Sequence, residues 1–315
     1  MAEQVVRRDV RRTREGGDTA GPEIAVIGAG AIGVVVAAAA AETGGHVQLC
    51  VRTRPEQVVV ERDGELHRPP LDVVGEPGAA RPADWVLVAT KAQDTPGAAA
   101  WLRALTGPDT VVVVLQNGVD QRERLAPLLP PGTPVLPALV YVNAETIARG
   151  HVLHREKNLV ELPPEPDAER FAALMAGSAL SVRTVADFTT AAWRKLLVNV
   201  GANPVTALTL RRIGVLREPE VRALVEGLLT ETAAVGAAAG AALSGDDVAW
   251  AMAFYDSLSP DAGTSMLYDR VAGRTTEHEV ITGAVVSLGS AHGVPTPLNQ
   301  TLLTLLRALE INRAS

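Results

Sequence analysis

The stretch EIAVIGAGAIGVVVAAAAAETGG (Glu23–Gly45) constrains the fold more than any other part of the 315-residue chain. A short apolar run, EIAVIG, enters directly into glycines spaced G-x-G-x-x-G at Gly28, Gly30 and Gly33. Such a run, ending in glycine, reads as a strand buried on both faces of a parallel sheet. The Ala- and Val-rich Ala31–Thr43 reads as a helix, stopped by Gly44-Gly45. Each glycine of a strand–turn–helix unit has a separate task. Gly28 allows the tight turn, Gly30 lets backbone approach a pyrophosphate, and Gly33 lets helix pack on strand. The loop Gly28-Ala29-Gly30-Ala31-Ile32-Gly33 is therefore expected to hold a dinucleotide at the positive end of the helix. The rival reading is a packing turn with no ligand.

The uncharged segment Ile24–Ala41 follows a basic tail and is long enough to suggest a spanning or export segment. Regular glycines and a β-branched first half favour the soluble strand–turn–helix instead. Further strands are expected at His46–Arg52, Trp85–Thr90, Thr110–Asn117 and Pro134–Val142, with a helix over Thr95–Leu105. His151–Leu162 reads as a local hairpin of two strands. After about Val185 only helical patterns follow: Ala191–Val200, Glu218–Ala239, Asp246–Asp256, Glu277–His292 and Leu298–Asn312. Strands alternating with helices imply a parallel sheet with crossover helices. The expected fold is thus an α/β Rossmann-type N-terminal domain, mainly parallel in its sheet, followed by an all-α C-terminal domain. The expected divisions are a disordered leader over 1–22, a dinucleotide-binding domain over 23–187 and a helical substrate domain over 188–315.

Composition narrows the function. The net charge of −7 and an aromatic content of 3% oppose nucleic-acid binding, which wants cations and stacking surfaces. The basic run Arg7–Arg14 sits in the leader and reads as a solvated tail. The single cysteine, Cys50, can form no internal disulfide, which fits a reducing cytoplasm; at the end of an apolar run it reads as a buried hydrophobe. No metal site is expected, because His151-x-x-His154 lacks a well-spaced third ligand. His278 and His292 read as packing or surface residues.

Two features carry chemistry. An NAD site usually places an acid at the end of the second strand, for the ribose 2′-hydroxyl. This chain has Arg52 there, whose planar fork suits a 2′-phosphate and points to NADP(H). In WRKLLVNVGANPVTAL (Trp193–Leu208), Lys195, Asn199 and Asn203 recur every four residues and form one polar stripe on a helix. Alone, the stripe could be a solvated face, and Pro204 could end or bend the helix beside Asn203.

Thr90-Lys91-Ala92, Gln116-Asn117-Gly118, the Trp193–Leu208 block and SMLYDRVAGRTTEHEVITG (Ser265–Gly283) occur together, in this order, with the glycine loop. This ensemble resembles the ketopantoate reductase (2-dehydropantoate 2-reductase) family over nearly all of the chain after residue 22. The resemblance implies a cytoplasmic NADPH-dependent 2-keto acid reductase acting in pantothenate and coenzyme A synthesis. It implies Lys195 as the catalytic lysine and Glu277 as the active-site glutamate, with Asn199, Asn203 and Ser265 as substrate ligands. Lys91 and Asn117 match positions near the nicotinamide ribose. Glu277 would either orient Lys195 or hold the cofactor ribose. Ser265 also suits a helix start and Glu277 a helix's first turn. The chain departs from the family pattern at His278-Glu279 and Asp261-Ala262-Gly263. Two other readings remain: the same chemistry on another 2-keto acid, and an NADPH-binding sensor without turnover. A homodimer is possible; no nucleic-acid or membrane partner is expected.

Overall fold

The computed structural model describes residues 21–311; the basic leader lies outside the described residues. In chain order the first part comprises β1 (Glu23–Ile27), α1 (Ala31–Glu42), β2 (His46–Cys50), β3 (Val59–Arg62), β4 (Glu65–His67), β5 (Leu71–Val74) and β6 (Ala83–Val88). It continues with α2 (Ala99–Leu105), β7 (Thr106–Val114), α3 (Gln121–Leu125), β8 (Val135–Pro137), β9 (Leu139–Ala148), β10 (His151–Leu162), α4 (Pro166–Leu174) and β11 (Ser181–Thr184). Six of these strands form a parallel sheet in the order β5-β2-β1-β6-β7-β8. Numbered along the chain within that sheet, the order is 3-2-1-4-5-6, the Rossmann arrangement, whose direction of winding reverses between β1 and β6.

A second sheet, β11-β10-β3-β4 with β9 beside β10, lies across α1. The alternation along β1 accounts for the layering. Ile24 and Val26 face α1 and the second sheet, while Ala25 and Ile27 face Trp101, Leu102 and Leu105. Because α1 is covered from both sides, its apolar residues run all around it; Val34 through Ala40 are buried without interruption.

Three local expectations need correction. The segment Pro134–Val142 is not one strand. It is the crossing point where β8 ends in the first sheet and β9 begins in the second. His151–Leu162 is not a hairpin in itself but the single strand β10, whose antiparallel partner is β9. Within β10 the register shifts between His154 and Asn158, with Lys157 at φ 74°. The strands β3, β4 and β5 have no counterpart among the expected elements; β3 and β4 are joined at Asp63-Gly64, both at positive φ.

The second part is helical: α5 (Phe188–Thr209), α6 (Pro219–Ala238), α7 (Gly245–Ser257), α8 (Ser265–Val271), α9 (Thr282–His292) and α10 (Pro297–Ile311). Asp187 caps α5 by accepting the Thr190 N–H at 3.0 Å. Helix α5 continues without a break through Pro204 to a left-handed residue, Leu210. Its Trp193, Leu197 and Val200 pack into a core with Leu228, Tyr255, Met266 and Leu302. Helix α9 starts at Thr282, so Glu277 precedes it on a turn instead of sitting in its first turn.

The glycine loop shows why its spacing is strict. Gly28 has φ +108°, and a Cβ on Gly33 would collide with the Gly28 carbonyl oxygen. Gly33→Ala should therefore push α1 off β1 and lower unfolding stability by about 1–3 kcal/mol, the usual cost of overpacking. Urea unfolding of the two proteins checks this; equal midpoints would show that the helix–strand contact tolerates a methyl.

Candidate active site

A cavity of about 760 Å³ opens at the C-terminal ends of β1 and β6, where the winding of the sheet reverses. Ligands of doubly wound sheets bind at this point. Its walls include Gly28, Ala29, Gly30, Ala31, Ile32, Arg52, Lys91 and Asn117 from the α/β part, and Lys195, Asn199, Ser265 and Glu277 from the helical part. Two of the expected residues lie outside the lining. Gly33 is behind the loop, in the helix–strand contact. Asn203 lies one turn beyond Asn199 and is buried at 5% exposure. Of the stripe on α5, Lys195 and Asn199 line the cavity, and the buried Asn203 does not.

The loop fits a dinucleotide pyrophosphate. α1 begins at Gly30 with no side-chain cap and no acid in its first turn, so its first N–H groups carry no anionic partner of their own. A Cβ on Gly30 would meet nothing within 4 Å, which leaves the backbone open to a close approach. Arg52 stands at the end of β2 with its side chain 85% exposed, 3.8 Å from Asp94. Cys50, just before it, is buried, and burial pushes its thiol up to about 12. That is an inert thiol, as expected.

Glu277 is the most connected charge in the cavity. Its carboxylate is 6% exposed. It accepts the Ala92 N–H at 3.1 Å and the Asn117 amide N–H at 2.9 Å, and lies 3.5 Å from the Lys91 ammonium. The Lys195 ammonium donates to the Asn117 Oδ1 at 3.1 Å. Asn117 therefore links lysine and glutamate, one end of its amide accepting and the other donating. Burial pushes the Lys195 ammonium down to about 8, against the opposing pull of Glu277. The ring of Tyr141 lies 5.6 Å from the same nitrogen, in cation–π range. The neighbouring Arg194 turns away and pairs with Asp247 at 2.7 Å, so consecutive cations on α5 serve different faces.

Several residues in this network were not singled out from the sequence. Asp269, 4% exposed, binds Lys91 at 2.8 Å and Arg274 at 2.9 Å. Burial pulls the Lys91 ammonium down, but Glu277 and Asp269 outweigh it and leave its pKa raised. Buried Gln116 donates to the Thr90 carbonyl at 3.0 Å and ties the loops after β6 and β7 together. Arg124 donates to the Asn117 carbonyl at 2.9 Å, where Gly118 turns at φ +109°. The signal available was the motifs themselves: Gln116 precedes Asn117, and Asp269 follows Ser265 by one helical turn. On the helical side, Thr206 pairs with Thr264 at 2.7 Å, and Thr264 caps α8 by accepting the Leu267 N–H. That link sets the start of α8, and with it Ser265, against α5.

The departures noted in the sequence have structural uses. Glu279 forms a two-point pair with Arg307 of α10 at 2.6 and 2.7 Å, and His278 bonds Thr276, whose N–H donates to Glu310 of α10 at 3.1 Å. Gly263 leaves room for the Tyr268 ring. Among the described residues no cluster of His, Cys, Asp and Glu could hold a metal, and no helix is long and apolar enough to cross a membrane.

Comparison with known proteins places the chain in a family. Residues 24–166 match the family model "Ketopantoate reductase PanE/ApbA" and residues 187–310 match its C-terminal counterpart. The 2-dehydropantoate 2-reductase of Caulobacter vibrioides is 39% identical over 289 residues, covering 90% of this chain and 98% of the relative. The crystal structure of a PanE/ApbA family ketopantoate reductase from Ralstonia eutropha superposes with a TM-score of 0.85 at 31% identity, covering 93% of this chain and 100% of that one. A dimeric ketopantoate reductase from Staphylococcus aureus gives 0.83 at 26% identity, covering 92% and 99%. The chain belongs to the ketopantoate reductase family and is an oxidoreductase.

Gly30→Ala separates binding from folding. With open space around its Cβ and φ at −72°, the substitution should leave unfolding stability within about 0.5 kcal/mol. Dinucleotide affinity, titrated calorimetrically with NADPH and with NADH, should fall at least about tenfold, roughly 1.4 kcal/mol. Unchanged affinity for both would remove the pyrophosphate from this loop.

Proposed function

We propose that this member of the ketopantoate reductase family reduces 2-dehydropantoate to D-pantoate with NADPH, in the cytoplasmic synthesis of pantothenate and coenzyme A. The observation that carries the proposal is the Lys195–Asn117–Glu277 chain on the wall of the cavity that also contains the glycine loop. The relatives named for this reaction, similar over nearly their whole length, support the same substrate. The preference for NADPH rests on Arg52 at the end of β2 and on the lack of an acid there. A homodimer is in keeping with the dimeric S. aureus relative.

In this reading the glycine loop and the end of α1 hold the pyrophosphate, and Arg52 holds the 2′-phosphate. The bound cofactor supplies the hydride. Lys195 faces the carbonyl oxygen of the keto acid, where negative charge develops as the carbonyl is reduced. A preorganised ammonium in a partly dehydrated cavity stabilises that charge more than water does. The Nζ of Lys195 then gives a proton to the oxygen, which its depressed pKa makes easier. Asn117 fixes the direction of the ammonium, and Glu277 fixes Asn117 by receiving its amide. Asn199 and Ser265 offer neutral hydrogen bonds to the substrate's carboxylate and hydroxyl. An analogue without the hydroxyl would leave such groups unpaired and react much more slowly.

The pH dependence follows from the same residue. Lys195 must carry its proton, so kcat/KM for the keto acid should fall as pH rises through about 8. Lys195→Ala should lower kcat by about 10²–10⁴-fold, the usual contribution of a positioned acid, and abolish that limb. NADPH oxidation with ketopantoate and a panel of 2-keto acids, run on both proteins, provides the check. Higher kcat/KM on a simple keto acid would shift the substrate assignment. Full activity in Lys195→Ala would end the acid role, and NADPH binding without turnover on any keto acid would indicate a sensor.

A further inference from the structure

Strand β9 leads from the β7–β8 side of the first sheet, where it follows β8 directly, toward the segment after β2. Its Val140, Val142 and Ala144 line the cavity at alternate positions, as one face of a strand must. Beyond its end comes the turn Arg149-Gly150, and this turn is seated firmly. Gly150 has φ +79°, and its missing Cβ would collide with the Gln57 carbonyl and lie 2.6 Å from the Pro55 Cβ. The Gly150 carbonyl accepts the Val59 N–H at 2.7 Å. Pro55 and Gln57 lie in the segment Arg52-Thr53-Arg54-Pro55-Glu56-Gln57, which leaves the end of β2. The turn is therefore docked on the segment where the adenosine ribose of a dinucleotide lies.

Arg149 belongs to the lining of the same cavity as Arg52 and Thr53. It is exposed, and it is absent from the hydrogen bonds and ion pairs among the described residues. Arg52 differs, because Asp94, also in the lining, stands 3.8 Å from it. A phosphate monoester carries about −1.5 to −2 charges at neutral pH. Arg52 alone, partly offset by Asp94, does not balance that charge.

We propose that Arg149, at the β9–β10 turn, is a second cation for the cofactor's 2′-phosphate, completing a two-arginine clamp with Arg52 across the adenosine end of the cavity. The proposal rests on the NADPH reading above and adds a specificity-determining residue to it. The clamp links the second sheet to cofactor choice: it is built from the segment after β2 and the β9–β10 turn, held in register by β3 pairing with β10.

The test compares kcat/KM for NADPH and NADH, at saturating ketopantoate, in wild type, Arg149→Ala, Arg149→Lys and Arg52→Ala. Arg149→Ala should lower the NADPH value about ten- to hundredfold, the range for a lost charged hydrogen bond, and leave the NADH value within about twofold. Arg149→Lys should recover part of the loss. Adenosine 2′-monophosphate should inhibit wild type more strongly than Arg149→Ala, while adenosine 5′-monophosphate inhibits both equally. An equal fall for both cofactors would assign Arg149 to the adenine or to the turn's structure and overturn the proposal, as would no fall for either. If Arg52→Ala alone changes the NADPH/NADH ratio, the NADPH reading stands and Arg149 is excluded. If neither variant changes it, the 2′-phosphate reading itself fails.

Discussion

The carboxylate of Glu277 is the interaction on which the site depends. A buried carboxylate must be hydrogen-bonded or paired, because leaving it bare costs several kcal/mol. The helical part carries this charge on a turn before α9 and presents it to the α/β part. There it receives the Ala92 N–H, the Asn117 amide and the nearby Lys91. Those partners come from the loops after β6 and β7, at the ends of strands beside the point where the sheet's winding reverses. One buried anion and its partners thus join the helices to the sheet, and the cavity lies beside that junction. Gln93, donating to the Thr275 carbonyl at 3.1 Å, adds a contact along the same seam.

Much of this architecture was legible in the sequence, for identifiable physical reasons. The first βαβ unit was readable because a buried strand and a covered helix have no polar face, and only glycine satisfies the backbone between them. The helices after Asp187 were readable because their caps and periodicity are local. Where the reading failed, the determinant was nonlocal. The crossing from β8 to β9 at Ala138 depends on which sheet each half joins, and no local pattern records that. The irregularity in β10 divides the strand as a turn would, and only the partner strand β9 shows that pairing resumes beyond it.

The candidate site shows the same division. The spacing of Lys195, Asn199 and Asn203 showed that they share a helix face, but not how far the cavity extends along it. Helix α5 passes through Pro204 unbroken, and Thr206 satisfies nearby carbonyls at Ala202 and Asn203. The helix therefore continues into the core, and Asn203 goes with it. Glu277 was identifiable as a residue of interest, whereas the partners that it meets are visible only in three dimensions. It reaches Lys195 through Asn117, a residue 160 positions away in sequence from Glu277.

Two carboxylates stand beside Lys91, and their unequal distances matter to the proposed chemistry. Asp269 holds the ammonium at 2.8 Å, and Glu277 stands back at 3.5 Å. The charge of Glu277 acts on both lysines, raising Lys91 and opposing the burial of Lys195. Asp269 draws Lys91 toward itself, and Arg274 in turn offsets Asp269 at 2.9 Å. Glu277 keeps part of its negative field for Lys195, opposing the dehydration that depresses that ammonium. The two effects leave Lys195 near 8, mostly charged at neutral pH yet ready to release a proton. With Asp269 as the nearer partner of Lys91, Glu277 also serves Asn117, and through that amide it reaches the Lys195 ammonium.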